Sequence, residues 1–215
     1  MTPSALRLTL LALALTCLSS AGCSSILAPR PDTTRFFTLA TIDGAQTPPQ
    51  RVLGSNQPLT YGLGPITVPP YLDRNAMAVR VSPTEIKYST IDHWAEPLRV
   101  SVPRIMLANI STLLSGDHIV IYPWEATHPV DYRIEVELLR FECTTAGTNH
   151  VAARWGIKDG RSGKELVARN SSIERPGASA DAAASAAALS AALGDLSNEI
   201  VAAARQLPSA AKAHK

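Results

Sequence analysis

Apolar and charged residues alternate strictly at positions 131–138 of a β-type run that extends to residue 141, and this pattern is the strongest constraint on the fold. The apolar members are Tyr132, Ile134, Val136 and Leu138, and the charged members between them are Arg133, Glu135 and Glu137. Successive side chains of a strand point to opposite faces, so the pattern predicts a β-strand with one buried and one wet face. Residues 150–158 repeat the alternation and residues 164–174 predict a third strand, with turns at 144–149 and 159–163. The sequence therefore predicts a three-stranded antiparallel meander.

Shorter β-type runs precede this meander. Residues 35–39 and 61–68 are strand candidates, the second interrupted by Gly64-Pro65, and a loop rich in Gly, Pro, Gln and Ser at 41–58 separates them. Residues 77–81 and 85–89 predict a hairpin around Ser82-Pro83. Residues 119–122 predict a short buried strand that ends at Pro123.

Two segments carry helical periodicity. The first lies near residues 102–115, with Ser101 as the predicted N-cap, Pro103 in the first turn and Gly116 at the C-cap. The second, at 180–207, is rich in alanine and carries one apolar stripe, formed by Leu189, Leu193, Leu196, Ile200 and Leu207. A helix lying on a membrane is the alternative for such a stripe, but it usually carries more Lys, Arg and aromatic residues. The elements predict an α+β fold, a two-layer sandwich in which two main helices pack on one face of an antiparallel or mixed sheet.

The N-terminal segment predicts export and lipidation. Arg7 precedes an apolar stretch at 8–18 that is too short to span a bilayer, and Ala21-Gly22-Cys23 follows. This arrangement resembles the lipobox of bacterial lipoprotein signal peptides, although Ser20 stands where lipoboxes usually carry Leu. The alternative is an ordinary secretory signal. Ser24, where some lipoproteins carry an Asp that retains them in the inner membrane, favours the outer membrane.

These observations divide the chain into four parts. Residues 1–22 are predicted to be the signal peptide, 23–34 a lipidated flexible linker, 35–208 one domain and 209–215 a disordered tail. The polar part of the linker would reach about 35 Å when fully extended.

Charge and cysteine usage exclude some functions. Arg7 is the only charged side chain in residues 1–22, so the mature chain carries 19 basic and 18 acidic residues. This near-neutral balance argues against nucleic-acid binding. With Cys17 in the signal and Cys23 acylated, Cys143 is the one remaining cysteine and has no disulfide partner within the chain. A structural thiol is the favoured interpretation of Cys143, and a catalytic nucleophile is the alternative.

The sequence shows no catalytic constellation. It has no Gly-x-Ser-x-Gly elbow, no phosphate-binding glycine loop and no His-Glu-x-x-His motif, and its five histidines are scattered. His93 and Glu96 are an imaginable acid–base pair, but shaping of a turn by Glu96 and Pro97 is the favoured interpretation. We expect neither enzymatic activity, nor a cofactor, nor a metal.

Several short segments resemble the PqiC-like family, the auxiliary lipoproteins of ABC-type and MCE lipid transport systems. The segments are FFTL at 36–39, GPITVPPYLDR at 64–74, HWAEPL at 93–98, YPW at 122–124, RF at 140–141 and ARW at 153–155. The second and third are the most specific, and their order matches over essentially the whole mature chain. His93 is a departure, since family members often have Arg there.

The resemblance implies a non-enzymatic lipoprotein on the periplasmic face of the outer membrane. Such a subunit would dock or extend a periplasm-spanning MCE-domain protein, as a homo-oligomeric ring in one version of this hypothesis. Cys23 would carry the lipid, and Tyr71, Leu72, Asp73 and Arg74 would form a loop that contacts a partner or a neighbouring subunit; a local salt bridge is the alternative for Asp73 and Arg74. An independent periplasmic lipid-binding lipoprotein is the alternative function. Trp94 and Trp124 are interpreted as core or turn anchors rather than lipid contacts.

Overall fold

A computed structural model describes residues 31–42, 58–124, 129–177 and 181–207. The predicted signal peptide, Cys23, most of the predicted linker and loop, and the predicted tail lie outside the described residues. The fold reported below lies within the compact unit formed by residues 34–215.

The described residues form one mixed eight-stranded sheet. Its strands are β1 (Arg35–Phe37), β2 (Thr60–Thr67), β3 (Ala76–Ser82), β4 (Glu85–Trp94), β5 (His118–Ile121), β6 (Tyr132–Thr144), β7 (Thr148–Asp159) and β8 (Glu165–Pro176). Strand β6 is central. On one side it pairs antiparallel with β7, which pairs antiparallel with β8. On the other side its first half runs parallel to β2 and its last residues run parallel to β3.

The predicted meander is present, and its alternation is confirmed. Ile134 lies opposite Ile157 and Val136 opposite Trp155, and all four side chains are buried. On the wet face Glu135 pairs with Lys158 at 2.6 Å. The period-two pattern is interrupted at Leu139, which is an extra residue in β6. Leu138 lies opposite Ala153 and Arg140 lies opposite Ala152, so Leu139 has no partner residue on β7. This bulge shifts the alternation by one residue and so turns Phe141 into the core.

Two helices cover one face of the sheet, which confirms the predicted fold class. Helix α1 (Leu98–Leu113) packs on β2 and β5, helix α2 (Ala182–Ala204) packs on β6, β7 and β8, and the two helices contact each other. Asp181 caps α2 by accepting a hydrogen bond from the amide of Ala183 at 3.0 Å. Four members of the predicted stripe, Leu189, Leu193, Leu196 and Ile200, are buried in the core, so core packing rather than membrane contact is the role of this stripe. The helix ends before the predicted residue 207, and Leu207 lies beyond it, partly buried against the core.

Helix α1 begins four residues before the predicted start. Ser101 is not its N-cap, since Pro97 occupies that position and the Ser101 hydroxyl donates to the Pro97 carbonyl from inside the helix. The apolar stripe extends back to Leu98, which is buried, and this burial outweighs the local preference for a serine cap. Pro103 therefore lies in the helix interior. Gly116 is not the C-cap, since Leu114 occupies that position; with φ +97°, Gly116 lies in the turn after the helix.

The prediction that residues 119–122 form a buried strand is wrong in its burial, and the strand is β5 (His118–Ile121). It pairs with β2 alone among the described residues, and its two end residues, His118 and Ile121, are exposed. It is an edge strand rather than a buried one.

The chain that follows β1 crosses the helical layer. The Ser190 hydroxyl of α2 accepts a hydrogen bond from the amide of Ala40 at 3.0 Å, and the Asn109 side-chain carbonyl of α1 accepts one from the amide of Ile42 at 3.0 Å. Leu39 is buried in the core. Residues 39–42 therefore form a segment that is hydrogen-bonded to both helices.

None of the helices in the described parts of the chain has both the length and the apolarity that crossing a bilayer requires.

Candidate functional site

The predicted interface residues lie in and after one short 3-10 turn. This turn, Pro70–Leu72, follows β2 and leads into β3. Leu72 is 2% exposed and belongs to the core, whereas Asp73 and Arg74 are exposed. The side chains of Asp73 and Arg74 are therefore available to a partner, and Leu72 positions them.

Tyr71 anchors this turn to a buried carboxylate on β6. Glu142 is 1% exposed, and the Tyr71 hydroxyl donates to its Oε2 atom at 2.7 Å. Its Oε1 atom accepts hydrogen bonds from Nε of Arg80 and from Nε of Arg140, the latter at 3.0 Å. Both carboxylate oxygens thus have charged or hydroxyl donors, as a buried carboxylate requires.

These contacts set the ionisation of the cluster. Burial acts to raise the pKa of Glu142, but the hydrogen bonds from Arg80, Tyr71 and Arg140 outweigh it, and the pKa lies below its ordinary value. Burial, and then the neighbouring carboxylate, raise the pKa of Tyr71 well above its ordinary value. Glu142 is therefore ionised and Tyr71 is a neutral donor at neutral pH. The cluster acts as a structural anchor and is not poised for proton transfer.

Tyr88 of β4 fixes the other side of the turn. Its hydroxyl donates to the carbonyl of Tyr71 at 2.9 Å, and the guanidinium of Arg74 lies 4.9 Å from the centre of its ring. The segment at 71–74 is thus held from both flanks, and its exposed side chains project from a rigid base.

The two most specific segments of the family resemblance are linked beside this turn through Asn75 and Arg99, the residues that directly follow them. Asp73 pairs with Arg99 at 3.1 Å, and the backbone amide of Trp94 donates to the carbonyl of Asn75 at 2.6 Å. Val100, next to Arg99, is 48% exposed. We call the surface formed by Asp73, Arg74, Arg99 and Val100 the α1 corner. Both side chains of its ion pair are largely exposed, so the pair adds little stability.

The catalytic candidates predicted from the sequence, His93, Glu96 and Cys143, have structural environments that do not favour catalysis. Glu96 pairs with Arg104, and the ring of His93 lies beside Phe36 with a centroid distance of 5.9 Å. Burial raises the pKa of the Cys143 thiol, which disfavours the nucleophilic thiolate. Within the described parts of the chain, no group of three or more His, Cys, Asp or Glu residues could hold a metal ion.

The tryptophans have separate environments. Trp94 is 4% exposed in the core, with its ring 6.2 Å from that of Phe141. Trp124 is half-buried, and its ring meets Tyr122 edge-on at 5.5 Å.

Glu142 and Arg99 were not predicted from the sequence as functional residues. The sequence offered one signal for Glu142: it is a charged residue between Phe141 and Cys143, directly after the long predicted strand at 131–141. The bulge at Leu139 obscured the face on which Glu142 lies. The pairing of Arg99 with Asp73 depends on the tertiary fold, and no local sequence pattern predicts it.

Comparisons with known proteins identify the family. The family model described as "ABC-type transport auxiliary lipoprotein component" matches residues 37–201. The chain therefore belongs to the family of ABC-type transport auxiliary lipoproteins, which confirms the resemblance found in the sequence. No curated protein matches the chain significantly.

Solved structures support the fold. Protein XCC0632 from Xanthomonas campestris has a TM-score of 0.63 and 18% identity, covering 78% of this chain and 93% of its own. An uncharacterized protein, solved by crystallography, has a TM-score of 0.65 and 16% identity, covering 80% of this chain and 98% of its own. At these identities the likeness concerns the fold alone.

Proposed function

We propose that this protein is the outer-membrane-anchored lipoprotein subunit of an MCE/ABC-type system that moves lipids between membranes. The family match over residues 37–201 carries the proposal. Cys23 is acylated after removal of residues 1–22, and the domain docks or extends the periplasm-spanning component at the periplasmic face of the outer membrane. The subunit is not an enzyme.

The physical need for such a subunit follows from lipid chemistry. Each methylene that leaves a bilayer for water costs about 0.8 kcal/mol, so a lipid with two acyl chains needs a shielded path. A shielded path must be held at the membrane where it ends. A folded domain attached through an acylated linker supplies that connection, and several copies in a ring would strengthen it through avidity.

The α1 corner is the proposed contact with the MCE-domain partner. It combines exposed charges of both signs with the exposed Val100, and the buried Glu142 anchor holds it in place. Interfaces are specified by such charge arrangements around apolar contacts.

Charge reversal at the corner tests this contact. Arg99→Glu places two like charges together and should strongly reduce capture of an MCE-domain protein, measured by affinity purification from the native host. Arg161→Glu, an equal charge change in the exposed β7–β8 turn, should leave capture intact. Unchanged folding, checked by circular dichroism, is expected for both because both sites are exposed.

A charge swap separates a partner contact from an Asp73–Arg99 ion pair that acts only within the chain. The combination of Asp73→Arg with Arg99→Asp restores the ion pair but exchanges the positions of its charges. Capture that stays low in the swapped protein supports the proposed contact. Capture that returns to the wild-type level shows that the pair acts only within the chain and removes the α1 corner from the proposal.

A further inference from the structure

The described residues enclose a half-open apolar cavity of about 390 Å³, and no residue that lines it belongs to the segments that carry the family resemblance. Its floor is formed by alternate residues of β3: Met77, Val79 and Val81. Cys143 from the end of β6 and Ala182 from the first turn of α2 form its walls. The cavity arises because α1 packs on β2 and β5 and α2 on β6 to β8, which leaves the β3–β4 hairpin partly uncovered.

Polar groups around the cavity already have partners. The Ser89 hydroxyl donates to Asp92 at 3.0 Å, and Asp181 accepts from the first turn of α2. The thiol of Cys143 contacts the carbonyl of Ala78 at 3.8 Å. A polar ligand would lose its hydrogen bonds with water on entering, so an apolar group is the better occupant. The volume is at the lower end of the range of ligand sites, which suits one chain rather than a whole lipid.

The cavity lining contacts the first residue of β1, which directly follows the predicted linker. Arg35, the first residue of β1, pairs with Asp92 at 2.6 Å, and Asp92 lines the cavity. Arg35 lies twelve positions after Cys23, so an acylated Cys23 would hold this point within about 40 Å of the membrane surface. Lys87 also lines the cavity, with a side chain that is 70% exposed and a loose 3.7 Å contact to Glu85. It offers a cation beside the mouth for a lipid phosphate.

We propose that this cavity binds one acyl chain of a membrane phospholipid, whose phosphate remains at the mouth beside Lys87. The inference rests on the proposed function through the membrane attachment at Cys23. It adds a lipid-binding site within the domain to the docking role.

Binding of a single-chain phospholipid tests this site. The full mature chain carrying Cys23→Ala retains Cys143 as its only cysteine. Palmitoyl-lysophosphatidylglycerol, added below its critical micelle concentration, should bind with one-to-one stoichiometry in native mass spectrometry. It should also slow the reaction of Cys143 with N-ethylmaleimide in a saturable way.

Variants locate the binding. Val79→Trp fills the floor and should weaken binding by at least about tenfold, because displacement of about two methylenes accounts for that factor. Thr145→Trp, at an exposed turn position lining the cavity, provides a second obstruction that spares the core. Leu166→Trp on β8, outside the cavity, should bind as the parent does. Absent binding in the parent, or equal binding in all three variants, would overturn the proposal.

Measurements on the acylated protein show whether an acyl chain in the cavity comes from a phospholipid or from the protein's own lipid anchor. If Cys143 is protected in acylated protein without added lipid, and Cys23→Ala removes that protection, the protein's own anchor occupies the cavity and the proposal is wrong. These measurements need no partner protein. Lipid binding without capture of an MCE-domain protein would therefore count against the proposed function alone, and capture without lipid binding against the cavity alone.

Discussion

Glu142 is buried, yet it helps to fix the position of the exposed residues of the α1 corner. Carboxylates are almost never fully buried unless they are paired, and this one is paired through Tyr71, Arg80 and Arg140. Its Tyr71 bond holds the turn that presents Asp73 and Arg74. The α1 corner therefore depends on a charge beneath it.

Glu142→Gln should destabilise the domain by about 3 kcal/mol, because it leaves two guanidinium groups without their counter-charge. Urea unfolding of the mature Cys23→Ala chain measures this change. Glu137→Gln is the matched control. Glu137 pairs with Arg154 at 3.2 Å on the wet face, where both side chains are largely exposed, so its loss should change the free energy of unfolding by no more than about 0.5 kcal/mol.

The Glu142 effect should depend on pH. Since the pKa of Glu142 is lowered in the folded protein, its stabilising contribution is complete above the ordinary glutamate value of about 4.3 and is lost as pH falls through the folded-state pKa. The difference in unfolding free energy between the parent and Glu142→Gln should therefore shrink below that value. A difference that stays constant into strong acid would contradict the assigned charge.

At the scale of elements, the sequence is informative where one local period governs a segment. The alternation of β6 and β7 and the leucine stripe of α2 were predicted correctly because each segment buries one face. The bulge at Leu139, the start of α1 and the exposure of β5 were missed. Each of these depends on contacts with distant segments, which no local pattern contains. The same reason hides the Asp73–Arg99 pair and the cavity.

The segment at 39–42 makes a prediction at this scale. A Cβ atom at Gly194 would lie 2.6 Å from Cγ2 of Ile42, so Gly194→Ala should destabilise the domain by about 1–3 kcal/mol despite the better helix propensity of alanine. Thermal or urea unfolding measures the effect. In an Ile42→Ala background the same substitution should be neutral or stabilising by up to about 1 kcal/mol. An equal cost in both backgrounds would show that Ile42 is not the obstacle.

At the scale of the molecule, the fold combines a rigid domain with a predicted acylated linker. The proposals assign the α1 corner to the partner protein and the cavity to membrane lipid. The two sites serve separate contacts, so their variants should separate as well: Arg99→Glu should impair partner capture and spare lipid binding, whereas Val79→Trp should do the reverse.

The central claim is best tested on tagged full-length protein purified from its native host in mild detergent. Mass spectrometry would identify its N-terminus, its lipids and the proteins that accompany it. The account predicts an acylated Cys23 as the first residue, together with an MCE-domain protein that is depleted when Arg99→Glu is purified in the same way. An unacylated N-terminus at another residue, with no transport protein recovered, would contradict it.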